Sequence, residues 1–171
     1  YLEESPEKLL SIKVVDPACG SGAFLIKAFD SLHSHYLEFN KQQESKRKKT
    51  NNLSDFINDQ SIARINEVIL HKHIHGVDLD SEAVELAKIN LWLRTIQEEM
   101  KLNELNKNIK QGNSLVSDKS IDKQNAFDWD KEFPFKFDVV IGNPPYMLLQ
   151  PENTSRDLLD YFKKEYVIAQ Y

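Results

Sequence analysis

The chain of 171 residues has the length of one domain, and its 40% hydrophobic residues are enough for a core. No apolar run approaches the roughly 20 residues that span a bilayer, so we expect one soluble domain. The single cysteine, Cys19, excludes an internal disulfide and a cysteine-type zinc or iron–sulfur site. The net charge of -5 indicates that the main contacts to any phosphate backbone lie outside this chain, because Lys and Arg supply most of the non-specific affinity for nucleic acids.

The first predicted strand covers residues 12–16, a β-branched run that leads into a turn rich in small residues. From Gly22 onward, apolar residues recur every three or four positions, which predicts a helix. The polar stretch 40–54 is predicted to interrupt this helical pattern, which resumes over residues 56–69. Within the interruption, the basic run from Lys41 to Lys49 is typical of a solvated loop, and a loop that touches phosphates is the alternative.

The same signals predict the remaining elements: strands at residues 73–78, 108–111 and 137–142, a helix that begins after a cap at Asp80 or Ser81, and a last helix around residues 155–166. Alternating strands and helices, with continuous apolar runs in the strands, predict a doubly wound α/β fold of the Rossmann-like type with a mainly parallel sheet. Four strands are fewer than such a sheet usually has. We therefore expect an incomplete sheet, with the apolar fourth strand at an uncovered edge.

The turn after the first strand reads Asp16, Pro17, Ala18, Cys19, Gly20, Ser21, Gly22. Glycines between a strand and a helix let the backbone approach a ligand closely, and the amides at the helix start favour a negative group. A dinucleotide fingerprint needs a third glycine where Leu25 stands, so NAD is disfavoured. The stretch DPACGSGAF resembles the first motif of S-adenosylmethionine-dependent DNA methyltransferases. This resemblance implies that residues 16–22 bind that cofactor, and a purely structural glycine turn is the alternative.

Two further loops are candidates for contacts with the cofactor. Asp78 ends the second strand, where an acid typically holds ribose hydroxyls, and Leu79 could pack on the adenine ring; a helix cap shared with Asp80 is the alternative for Asp78. Asn113 and Ser114 close the third strand, where the family that the sequence resembles places a side chain that hydrogen-bonds the adenine edge. Many members have Asp there. Asn113 offers both a donor and an acceptor, and a simple turn asparagine is the alternative.

The loop after the fourth strand reads Asn143, Pro144, Pro145, Tyr146. The exocyclic amine of adenine is conjugated with its ring, so its lone pair must be localised before it can attack a methyl group. The amide oxygen of Asn143 and the carbonyl of Pro144 are acceptors for the two amine hydrogens, and the prolines stiffen the loop. A base in a duplex must be flipped out to be reached, and Tyr146 offers it a stacking face. These four residues are predicted to be the catalytic loop, and a proline-rich turn is the alternative.

Together, the segments DPACGSGAFLIKAFD, GVDLDSEAVELAKINLWL, GNSL and FDVVIGNPPY resemble the adenine-specific methylase module of the Eco57I-like, type IIG restriction-modification family, over roughly residue 12 to the C-terminus. The resemblance implies methyl transfer from S-adenosylmethionine to the N6 amine of adenine in double-stranded DNA, in the prokaryotic cytoplasm and with no membrane partner. It also implies that residues 1–171 are a partial catalytic domain with an insertion at about 40–70, without a target-recognition domain and with a fused or associated nuclease. We expect this segment alone to bind cofactor weakly and to methylate nothing.

Two other functions stay open at this point. Loops of the NPPY type also occur in methyltransferases that modify glutamine amides of proteins or the N2 amine of guanine in RNA. A non-catalytic module that senses the cofactor inside a nuclease would have a nearly identical sequence.

Metal and thiol chemistry are not predicted. His71, His73 and His75 alternate, so two of them could share a strand face, but no acidic or cysteine partner is near. Cys19 is predicted to be a small buried residue rather than a nucleophile.

Overall fold

The computed structural model describes residues 11–47, 65–95, 102–146 and 154–166, and within them four strands form one sheet. The strands are β1 (Val14–Asp16), β2 (Ile74–Asp78), β3 (Ile109–Gln111) and β4 (Val139–Val140). Their order in the sheet is β3-β2-β1-β4, and each neighbouring pair is parallel. The predicted Rossmann-like, parallel α/β architecture is confirmed.

The helices whose bounds lie within the described ranges are α1 (Ala23–Arg47), α2 (Ser81–Trp92), α3 (Trp129–Glu132) and α4 (Arg156–Glu165). Residues 65–68 are also helical and continue into a π-helical turn, Ile69–His73, and short 3₁₀ turns cover Leu93–Thr95 and Leu102–Lys107. Asp80 caps α2 by accepting the Glu82 N–H at 2.9 Å, and Ser155 caps α4 through the Leu158 N–H at 3.3 Å. No helix among the described residues is both long enough and apolar enough to cross a membrane.

The two faces of the sheet are covered by different material. Successive residues of a strand point to opposite faces, and β2 follows this rule. Ile74 belongs to the main core with Leu25 and Phe29 of α1, whereas Val77 packs with Phe127 and Phe133 in a second cluster. Helices α1 and α2 therefore cover one face, and the aromatic segment, residues 127–137, covers the other.

His75 is enclosed by that aromatic segment. Its ring centroid lies 5.1–5.4 Å from those of Phe133, Phe135 and Phe137, and Nδ1 lies 3.3 Å from the carbonyls of Val14 and His73. Burial lowers the pKa of His75 to about 4, so its ring is neutral at physiological pH.

Two sequence-based expectations, one about the end of α1 and one about His71 and His73, were wrong. The helix does not stop at the polar stretch but continues to Arg47, because Lys, Gln, Glu and Arg are strong helix formers and polarity alone does not end a helix. His71 and His73 do not alternate with His75 along a strand, since both lie in the π-helical turn. The His73 ring instead contacts the Tyr36 hydroxyl at 2.8 Å and the Ile12 carbonyl at 2.5 Å. The remainder of the predicted insertion, residues 48–64, lies outside the described residues.

Candidate cofactor and catalytic site

The register of the sheet brings four loops to one edge. Asp16 at the end of β1 pairs with Gly76, Asp78 at the end of β2 pairs with Gln111 of β3, and Val15 pairs with Val140 of β4. In open parallel sheets, ligands bind beyond the carboxyl ends of the strands. The residues just past these ends are those that the sequence singled out: 17–22, 79, 113–114 and 143–146.

The glycine turn after β1 is tied to the end of β2. The Cys19 N–H donates to the Val77 carbonyl at 2.9 Å, and the Gly20 N–H donates to Oδ2 of Asp78 at 2.7 Å. The other carboxylate oxygen of Asp78, Oδ1, accepts the Asp80 N–H at 3.0 Å. Asp78 therefore shapes the turn as well as ending its strand, and lone pairs remain on both of its oxygens for a ligand hydroxyl.

Gly22 is required where the turn enters α1. Its φ is +87°, and a Cβ built on it would lie 3.2 Å from the Cβ of Ala87 in α2. The turn is further fixed by Asn90 of α2, whose Nδ2 donates to the Ser21 carbonyl at 2.9 Å. Helix α2 thus supports the turn from outside the site.

Leu79 and Cys19 flank this turn in opposite environments. The Leu79 side chain is 53% exposed at the strand edge, so it is accessible to a flat apolar ligand. Cys19 is buried, as predicted, and burial together with the negative charges of Asp78 and Asp16 raises its pKa to about 12. The thiol therefore stays protonated at neutral pH, which fits a packing role.

Asp16 carries a buried carboxylate at the centre of the edge. The residue is 1% exposed, its Oδ1 accepts the Ala18 N–H at 3.0 Å, and its Oδ2 has no hydrogen-bond partner among the described residues. Burial raises the pKa of Asp16, the Ala18 amide lowers it in part, and the charge of Asp78 raises it further. An unpaired buried acceptor is unfavourable alone and favours a ligand that donates a hydrogen bond there.

The loop after β4 passes directly over Asp16. The Ile141 N–H donates to the Val15 carbonyl at 2.9 Å, which carries the chain past the end of β1. At Gly142, φ is +150°, and a Cβ built there would lie 2.5 Å from Oδ1 of Asp16. Only glycine allows this approach without displacing the carboxylate. Asn143 therefore directly follows a residue that lies against Asp16, the first residue of the predicted cofactor turn.

The rest of that loop, Asn143 to Tyr146, is exposed, and Tyr146 is 96% exposed. A tyrosine ring so fully open to solvent contributes little to the core of the described residues. It is available for a flat ligand, in keeping with the predicted stacking role.

Asn113 and Ser114 lie in a loop held from several sides. Nδ2 of Asn113 donates to Oδ2 of Asp122 at 3.0 Å, and Oδ1 accepts the Leu115 N–H at 3.2 Å. The Ser114 carbonyl accepts the indole N–H of Trp129 at 2.9 Å. Asn113 is half-buried, and its amide keeps one hydrogen and one lone pair for a ligand.

Two protein families match most of this chain. Residues 72–171 match the family described as Eco57I restriction-modification methylase, and residues 11–121 match the one described as RMKL-like, methyltransferase domain. This chain belongs to the Eco57I restriction-modification methylase family. The first match includes Asp78, Asn113 and the loop from Asn143 to Tyr146, and the second includes the glycine turn.

Two curated relatives are similar along nearly the whole chain. The type II restriction enzyme and methyltransferase RM.Eco57I of Escherichia coli is 31% identical over 97% of this chain, and DNA methyltransferase A of Bacillus subtilis is 27% identical over 95%. The chain covers 18% of the length of each of these relatives. It therefore spans only a part of these proteins, and the resemblance of its motifs to an Eco57I-like methylase module is confirmed.

Several residues that shape the module were not identified from sequence. Asp122 and Gly142 gave no signal, and neither did Tyr161 and Tyr166 of the α4 region. The Ser117 N–H donates to the Tyr161 hydroxyl at 3.1 Å, and the Tyr166 hydroxyl donates to the Leu115 carbonyl at 2.8 Å. These contacts hold α4 and Tyr166 against the Asn113 loop.

Proposed function

We propose that the protein of which this chain is a part transfers a methyl group from S-adenosylmethionine to the N6 amine of a flipped-out adenine in DNA, as the modification part of a restriction-modification enzyme. The observation that carries the proposal is the approach of Gly142 to Asp16, where a Cβ would lie 2.5 Å from the carboxylate oxygen. This approach supports the proposal because Gly142 precedes Asn143, and Asp16 leads into the glycine turn.

The residues present fit the proposed cofactor. The unpaired Oδ2 of Asp16 suits the ammonium of its methionine part, since a buried carboxylate gains most from a positively charged donor. The free lone pairs of Asp78 suit the ribose hydroxyls, and the exposed face of Leu79 suits the adenine ring. Asn113 and Ser114 would face the adenine edge. When bound, S-adenosylmethionine supplies an electrophilic methyl group.

The catalytic loop would act by positioning and electrostatics. The amide oxygen of Asn143 and the carbonyl of Pro144 would accept the two hydrogens of the target amine and stabilise the positive charge that develops on its nitrogen. Pro144 and Pro145 limit the motion of these acceptors. Asparagine is not a general base, so a separate group or water takes the proton. Tyr146 would stack on the target base and contribute about 1–3 kcal/mol.

The net charge of -5 supports the proposal that the main contacts to DNA phosphates are made by residues outside this chain. We propose that a target-recognition region outside residues 1–171 makes most phosphate contacts, that a nuclease is fused or associated, and that the whole enzyme acts in the cytoplasm. The basic residues from Lys41 onward lie partly on α1, and a contact with phosphates there stays a proposal.

The identity of the molecule that receives the methyl group decides between this proposal and its main rival, a methyltransferase for protein glutamine or RNA guanine. The full-length protein would be incubated with methyl-labelled S-adenosylmethionine and, in parallel, with DNA, RNA and a release-factor-like protein. We expect label in DNA, recovered as N6-methyladenine after digestion to nucleosides. Label that enters only protein or RNA would overturn the choice of substrate. A cofactor-sensing module would bind the cofactor and label none of the three.

A paired substitution tests the role of the exposed tyrosine. Tyr146→Ala in the full-length protein should weaken productive DNA binding by about 1–3 kcal/mol, whereas Tyr146→Phe keeps the stacking face and should stay close to wild type. Equal losses in the two variants would assign the effect to the hydroxyl and count against stacking.

A further inference from the structure

The side chain of Asn113 is held by two partners of opposite hydrogen-bonding character. Oδ2 of Asp122 accepts from its Nδ2 at 3.0 Å, and the Leu115 N–H donates to its Oδ1 at 3.2 Å. An amide has two orientations that differ by exchange of its oxygen and nitrogen. Both partners favour the same one, with nitrogen toward Asp122 and oxygen toward Leu115.

Asp122 is a reliable acceptor at neutral pH. The hydrogen bond from Asn113 lowers the pKa of Asp122, and the Asn125 amide, which donates to Oδ1 at 2.9 Å, lowers it further. An ionised carboxylate accepts and never donates. If the Asn113 amide turned over, its oxygen would face this carboxylate and its nitrogen would face the Leu115 N–H, so both contacts would become repulsive.

The backbone around the pair does not depend on the carboxylate alone. The Asn113 N–H donates to the Asn125 carbonyl at 2.6 Å, and the Ala126 N–H donates to the Asp122 carbonyl at 3.1 Å. Asn113 and Ala126 also form a parallel β-bridge. Loss of the Asp122 side chain would therefore remove one of the two contacts that orient the Asn113 amide, while the Leu115 N–H and these main-chain bonds remain.

We propose that Asp122 is a positioning residue that locks the Asn113 amide with its oxygen available as an acceptor, and thereby selects a purine with an exocyclic amine over one with a carbonyl at that position. This inference rests on the proposed function, in which Asn113 faces the adenine edge of the cofactor. Asp122 acts through Asn113 and need not touch the cofactor. The negative charge of Asp122 would thus act on the ligand only indirectly, through Asn113.

The test compares two ligands that differ at the relevant atom. S-adenosylhomocysteine carries an amine at C6 of its purine, and S-inosylhomocysteine carries a carbonyl there. Binding of each to the full-length protein would be measured by calorimetry for wild type and for Asp122→Ala. We expect the preference of wild type for the adenosyl ligand to fall about three- to tenfold in the variant, the value of one neutral hydrogen bond. The affinity for the inosyl ligand should hold or rise, because a turned amide presents its N–H to the carbonyl.

Two further variants separate orientation from loop stability. In the exchange Asn113→Asp with Asp122→Asn, a carboxylate at position 113 accepts in either orientation, so the preference for the adenosyl ligand should return. The matched control is Asp118→Ala, which removes a carboxylate whose Oδ1 accepts the Ser120 N–H at 2.7 Å in the same loop, and it should leave the preference unchanged. Circular dichroism during heating checks that each variant is folded.

The outcomes distinguish this inference from the function on which it rests. If Asp122→Ala weakens both ligands by the same factor, or if the exchange variant is as unselective as Asp122→Ala, Asp122 is only structural and the inference is overturned while the proposed function stands. If full-length wild type binds neither ligand, the proposed function fails, and the inference fails with it.

Discussion

Gly142→Ala perturbs the close approach between the loop that precedes Asn143 and Asp16, which leads into the proposed cofactor turn. With φ at +150°, alanine at this position would carry backbone strain of about 1–3 kcal/mol. Its Cβ would also lie 2.5 Å from Oδ1 and 3.1 Å from the carboxyl carbon of Asp16, and relieving that overlap in a packed site adds about 1–3 kcal/mol. We expect a total local destabilisation of about 2–6 kcal/mol.

Hydrogen–deuterium exchange of peptides that cover β1 and β4 in the full-length protein measures this local effect. Gly20→Ala is the matched control, because Gly20 also has a positive φ, +51°, but a Cβ built there meets nothing within 4 Å. The control should lose only the about 1–2 kcal/mol of a left-handed alanine. The clash with Asp16 predicts a larger loss in Gly142→Ala than in Gly20→Ala.

A double-mutant cycle assigns the clash to its partner. In an Asp16→Ala background the overlap is gone, so Gly142→Ala should destabilise only by its backbone strain, with a coupling of about 1–3 kcal/mol between the two positions. A coupling near zero, or equal exchange in Gly142→Ala and Gly20→Ala, would refute the claim that the two loops touch at this point.

Three further predictions concern groups with perturbed ionisation. Burial raises the pKa of Asp16 above its ordinary value of 3.8, and a bound ammonium favours the ionised form, so affinity for S-adenosylhomocysteine should weaken as the pH falls through the acidic range above 3.8. Calorimetry should find that Asp16→Asn binds this ligand more weakly than wild type and with an affinity independent of pH. A wild-type affinity that stays constant from pH 7 to 4 would contradict the ion pair. His75 titrates near 6.5 when unfolded and at about 4 when folded, so its neutral form stabilises the fold above 6.5, and about 3 kcal/mol should be lost as the pH falls from 6.5 to 4. Exchange of β2 peptides, corrected for intrinsic rates, should show this slope in wild type and in His35→Gln. The slope should be smaller in His75→Phe, where His73, whose pKa burial also lowers, remains. An unchanged slope in His75→Phe would assign it to another group. Cys19, with a pKa of about 12, should react with a disulfide reagent at pH 8 only when the domain opens, and fast labelling of native protein would show that the turn is not closed around it.

The strands and the edge that carries the proposed site could be predicted because the strand signals are local. Apolar runs that end in Asp16, Asp78 or the Asn143 loop mark parallel strands, and parallel strands must place their carboxyl ends together. The burial expected of such strands does not hold for β4, where Val140 is 69% exposed. The capping residue Asp80 is likewise visible next to its helix, whereas the cap that Ser155 provides was not predicted.

The features that sequence did not reveal depend on contacts between distant residues or on competing signals. The bond between Gly20 and Asp78 joins positions 58 apart, and no pattern along the chain encodes it. The role of Asp122 requires the loop geometry that brings it to Asn113. The aromatic segment, residues 127–137, was overlooked because charged residues and Pro134 interrupt its rings, although it covers one face of the sheet.

Asn143→Ala in the full-length protein tests whether the Asn143 loop holds the target amine beside the proposed cofactor turn. Methyl transfer to DNA and binding of S-adenosylhomocysteine would be measured on the same preparation. We predict that transfer falls about a hundredfold or more while cofactor binding stays near wild type, because Asn143 would accept from the target amine and not from the cofactor. Methylation of adenine at an unchanged rate by this variant would rule out this role of Asn143.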